Sequence, residues 1–103
     1  MPYIEPDQRP AIDEAIHRTA EAIRRQGADL HARAGLINYA VTRLVLELIA
    51  DEPRLRYHHI ALVTGVLENV KQEFYRRLAS PYEDGKAAEN GDVYPGRAAT
   101  GQG

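Results

Sequence analysis

Apolar residues recur at helical spacing along three stretches of the chain, separated by clusters of proline, glycine and acidic residues. In the first stretch Ile12, Ile16, Ala20 and Ile23 share one face at steps of four and three, and Glu14, Arg18, Glu21 and Arg25 take the other. Pro10 suits the first turn of a helix, Asp13 and Glu14 favour its positive end, and Gly27 supplies a stop. The pattern predicts a helix from Pro10 to about Gln26, preceded by an extended arm over 1–9. The segment ADLHARAG at 28–35 reads as a connector with one turn at most, around Leu30.

The second stretch, LINYAVTRLVLELIA at 36–50, is apolar over more than a single stripe. Ile37, Val41, Leu44, Val45 and Leu48 make one seam, while Leu46, Ile49 and the ring of Tyr39 lie well round from it. A helix apolar on two sides is either wrapped by several partners or shared between subunits, and a chain of 103 residues offers few partners of its own. Asp51-Glu52-Pro53 ends this helix, because the residue before a proline is pushed out of the helical region. The third helix is predicted to begin near Tyr57 and to run to about Ser80, closed by Pro81. Its stripe is Ile60, Val63, Leu67, Val70, Phe74 and Leu78, flanked by Val66, His59, Glu73 and Arg77.

These elements predict an all-α protein: a small three-helix domain over 10–80 with the extended N-terminal arm, a docking segment over 81–94 and a mobile tail over 95–103. The docking segment has room for one or two helical turns before Asn90-Gly91, a pair suited to a helix end. Three such helices are marginal alone, so a helical oligomer is expected, with Val41, Leu46, Ile49, Val66 and Val70 at the interface.

Composition narrows the chemistry. The chain is 44 % hydrophobic and 27 % charged, with a formal net charge of −2, which gives no basic field for nucleic acid or an anionic membrane. It contains no cysteine, which removes disulfides and thiolate chemistry and points towards a reducing, cytoplasmic setting. The start, MPYIEPDQRP, lacks the basic and apolar regions of a secretory leader, and no apolar run is long enough to span a bilayer.

Few residues invite a chemical role. Asn38 projects near the apolar face of the second helix, either as a ligand-binding amide or as a polar group that sets register between subunits. Tyr39 and Arg43, one turn apart, suit either an anionic aromatic ligand such as a nucleotide or the rim of an interface. Tyr82 and Tyr94 either anchor the segment after Pro81 onto the bundle or a neighbouring subunit, or close a ligand site against Arg76 and Arg77. Glu68 and Glu73, five apart, diverge on one helix and cannot share an ion unaided; Glu73 with Arg76 or Arg77 reads as an intrahelical ion pair. His58-His59 is a poor chelate, and the remaining histidines, His17 and His31, are isolated. No metal site, cofactor or catalytic constellation is expected: the chain has no phosphate loop, nucleophile elbow or HExxH.

The stretches MPYI, GLINYAVTRLV at 35–45, HHIALVTGVLENVKQEFYRRLASPYEDGK at 58–86 and ENGDVY at 89–94 resemble a family of small uncharacterised proteins of bacteria and their phages. The shared signature is Gly-x-x-Asn-Tyr, a Gly-x-Leu-Glu leading to Tyr-Arg-Arg, Pro-Tyr-Glu-Asp and Asn-Gly-Asp-Val-Tyr. Lys71-Gln72 falls where members vary freely, and Gly85-Lys86-Ala87 is less charged than in others. The resemblance implies a phage or mobile-element association and little chemistry, and it carries no activity over to this chain. Two functional classes lead: a non-enzymatic oligomeric protein that binds an unknown protein partner, and a protein that binds or sequesters a small nucleotide-like anion between subunits; a hydrolase stands third.

Overall fold

The computed structural model describes residues 2–95, which fold as helices and turns with no strand among them. Two compact units divide within the third helix, one comprising Met1–Val66 and the other beginning at Leu67.

In the first unit a 3-10 turn, Pro6–Gln8, leads into α1, Arg9–Arg24. The arm is therefore extended only to Glu5. Gln8 accepts from the Glu5 N–H at 3.0 Å, and Arg9 donates to the Ile4 carbonyl through Nε and Nη2 at 3.1 and 2.8 Å, so the polar ends of Gln8 and Arg9 fold the arm into the helix entry. α1 ends as expected near Gly27, whose N–H bonds the Ile23 carbonyl at 3.1 Å.

α2 spans Leu30–Ile49, six residues longer at its start than the apolar run predicts. The cause is Asp29, which holds an extended backbone and accepts from the Ala32 N–H at 2.9 Å, an N-cap to N3 bond. The expected connector over 28–35 is thus mostly helix. Arg33, one turn in, donates from Nε to the Gly27 carbonyl at 2.8 Å and ties the start of α2 to the end of α1. Gly27 is buried under that side chain: a Cβ there would lie 2.9 Å from Arg33 Cγ. Ala20 and Ile23 on α1, with Leu36 and Ala40 on α2, are half-buried where the two helices meet.

α3, Tyr57–Phe74, starts after the Pro53 break. His59 sits at its third position and accepts the Arg56 N–H on Nδ1 at 2.9 Å, the place a glutamate or glutamine holds in a capping box, while Nε2 lies 3.3 Å from Glu52.

The second unit corrects the expectation that Pro81 closes the helix. A π-turn, Tyr75–Ala79, joins α3 to α4, Ser80–Asn90, and Pro81 stands in the first turn of α4. Within an α-helix Pro81 would drive its ring into the carbonyl four residues back and leave that carbonyl without its N–H. The π-turn opens the backbone there, with the Ser80 N–H bonded to the Tyr75 carbonyl five residues back. The inserted residue sets positions after the turn about 100° out of phase with the α3 stripe. α4 ends at Gly91, whose φ of 93° and N–H to the Ala87 carbonyl at 2.9 Å are a glycine helix end, as Asn90-Gly91 predicts. Val93 and Tyr94 are 88 % and 80 % exposed. Of the expected tail, 95–103, residues 96–103 lie outside the described residues.

Candidate functional site

Among the described residues no hydrophobic side chain is buried. That absence of a core directs attention to the helix surfaces. On α2 the half-buried positions Leu36 and Ala40 lie on the α1 side, whereas Val45 and Ile49 lie half a turn round from them. The sequence-predicted seam falls between the two: Ile37, Val41, Leu44 and Leu48 are exposed, and only Val45 has partial cover. On the face beyond, Leu46 is exposed and Ile49 half-buried. Both apolar sides of α2 therefore stand largely open.

On α3, Ile60, Leu62 and Val66 are exposed in the first unit. In the second, Leu67, Val70 and Phe74 on α3 and Leu78 in the π-turn are exposed as well. Of the five interface candidates, Val41, Leu46, Val66 and Val70 are thus open and Ile49 is half covered.

The ligand candidates occupy separate places. Asn38 is exposed, and its backbone carbonyl takes the Thr42 hydroxyl at 2.8 Å. Tyr39 is exposed, and Arg43 pairs with Glu47 on its own helix at 3.1 Å. Arg76 makes two bonds to Glu73, both at 2.9 Å, which is the intrahelical pair read from the sequence. The ammonium of Lys86 lies 5.9 Å from the ring centre of Tyr82. Arg77 is exposed on the π-turn.

One groove of about 660 Å³ lies within the second unit, where the chain after Gly91 turns back along α4. Tyr75, Ser80, Lys86, Asn90 and Tyr94 help to line it, but so do the carboxylates of Glu83, Asp84 and Asp92. The described lining includes Tyr94 but not Arg76, Arg77 or Tyr82, and its carboxylates outnumber its one ammonium, an arrangement unsuited to holding an anion. Tyr75 was not legible as a groove residue, because its place there depends on the glycine turn at the far end of α4. Among the described residues no group of three histidine, aspartate or glutamate side chains is placed to hold a metal ion, and no helix is long and apolar enough to cross a membrane.

Neither the curated proteins nor the solved structures provide a match to the chain. A family model does, over residues 1–93, and the chain belongs to that family, the Domain of unknown function (DUF6899).

Proposed function

We propose that this chain is a non-enzymatic interaction protein that works as a helical oligomer and presents its remaining helix surface to a protein partner. The observation that carries this reading is the lack of any buried apolar side chain among the described residues, in a chain that is 44 % hydrophobic. Ordering a residue's backbone costs about 1–2 kcal/mol, and apolar burial is the main term that offsets it. A second copy of the chain carries the same open helices and lacks the same cover. Nearby charged groups are engaged locally: Arg43 pairs with Glu47 on α2, and Arg76 of the π-turn pairs with Glu73 of α3. The resemblance to small phage-associated proteins fits a role exercised by contact with another protein.

The test is the mass of the native protein across a hundred-fold range of concentration, with thermal unfolding recorded on the same samples. The reading expects a dimer or larger and a melting temperature that rises with concentration, because association stabilises only the folded form. A folded monomer with a concentration-independent melting temperature would overturn it.

A further inference from the structure

The start of α2 at Leu30 lengthens its apolar seam beyond the segment the sequence delimits. Leu30, Ala34, Ile37, Val41, Leu44 and Leu48 follow one another at steps of four, three, four, three and four, an uninterrupted heptad seam about 27 Å long. All six are exposed, and the side of α2 that meets α1, at Leu36 and Ala40, lies roughly a quarter turn or more away. Resting on the oligomeric reading above, we infer that this seam is the contact between two copies of the chain and that their α2 helices run antiparallel.

The orientation follows from what lies where. When one copy is reversed about Tyr39, every seam position meets another: Leu30 faces Leu48, Ala34 faces Leu44, and Ile37 faces Val41, each pair occurring twice. The flanking positions also match. Arg33 of one copy comes beside Glu47 of the other, and Ala40 meets its own counterpart at the centre, where a small side chain lets the helices approach. Asn38 meets its counterpart on the opposite flank of the centre, where two amides can exchange hydrogen bonds and fix the register. In the parallel arrangement the apolar layers also align, but Arg33 falls beside Asn38 and its charge match with Glu47 is lost. Arg33 also donates to the Gly27 and Ala28 carbonyls through Nε and Nη2.

The chain has no cysteine, so engineered thiols report this geometry without background. Leu30→Cys and Leu48→Cys proteins are prepared separately, mixed at equal amounts, re-equilibrated and oxidised, with the mass of each product read after proteolysis. The antiparallel seam gives the mixed disulfide between positions 30 and 48 as the dominant product. A parallel seam gives only 30-to-30 and 48-to-48 products, and that result overturns the inference while leaving an oligomer in place. An oligomer of unchanged mass with no disulfide would also overturn it, by placing the contact on another face. A monomer would remove both this inference and the reading it rests on. Ala34→Cys mixed with Leu44→Cys repeats the test one layer inward, should either terminal variant fail to fold.

Discussion

Replacing Val41 by glutamate places a charge in the layer of the α2 seam next to its centre, and its cost can be worked from the open chain. Val41 keeps 44 % of its surface exposed, which is the share that a partner has left to bury. Complete burial of such a side chain contributes about 1.5–3 kcal/mol, so the remaining share is worth about 0.7–1.3 kcal/mol in each copy and about 1.3–2.6 kcal/mol in a pair. A carboxylate enclosed by Ile37 and Leu44 adds a desolvation cost on the order of a few kcal/mol in each copy. The sum exceeds about 4 kcal/mol, roughly a thousand-fold in dissociation constant. Light scattering behind a sizing column, at concentrations where the parent is fully assembled, should therefore find Val41→Glu dissociated, with helical content falling as the partner is lost. Arg43→Gln on the same helix removes only an exposed i,i+4 pair with Glu47 and should leave the mass unchanged. Retention of the parent mass by Val41→Glu would refute the argument, because no open face could accept the charge and still be the contact.

Leu46 lies across α2 from the seam centre and is itself 46 % exposed; Leu46→Glu should lower the mass of an assembly that uses both sides of the helix, and an unchanged mass would confine the contact to the seam. Asp29→Ala removes the side-chain acceptor for the Ala32 N–H and should cost about 1 kcal/mol, read as a drop of several degrees in melting temperature together with faster amide exchange at Ala32; unaltered exchange there would show that the cap does not hold the start of α2. Gly91→Ala forces a side chain into a backbone conformation with φ of 93° and ψ of 134°, at about 1–3 kcal/mol, and should unwind the last turn of α4; a melting curve that overlays the parent would refute the requirement for glycine.

The helices were legible where apolar periodicity and punctuation agreed. Ile12 to Ile23 with Pro10 and Gly27 placed α1 within a residue or two, and Asn90-Gly91 placed the end of α4. They were misread where a short-range bond outweighed the pattern. Asp29 and Ala32 have the spacing of an N-cap and its third residue, but the apolar run starts only at Leu36, so by periodicity alone Leu30 and Ala34 fall in a connector and the seam lacks two of its six positions. Pro81 reads as a stop by the rule that holds inside a regular α-helix. The π-turn evades that rule by supplying an extra residue before the proline, and nothing in the apolar spacing announces it. The open faces of α2 were visible as excess apolar residues, whereas the groove beside α4 required the direction of the chain after Gly91.

The distribution of polar bonds bears on why the apolar faces are open. Arg18 pairs with Glu14, Arg24 with Glu21, Arg43 with Glu47, Lys71 with Glu68, and Lys86 with Glu89, each along its own helix. Such pairs contribute about 0.2–0.5 kcal/mol each to the helix that bears them and nothing to the choice of its neighbour. Caps at Asp29, His59 and Gly91 act in the same local way. Local terms of this size favour each helix separately but cannot offset the ordering of some seventy helical residues, and specificity of packing has to come from complementary apolar surfaces. A seam that is apolar in every layer, matches its own reverse and carries opposite charges at its ends supplies that complementarity from the chain itself. The polar bonds thus act within each helix, and on the proposed reading the open apolar faces of the described residues are what remains for assembly.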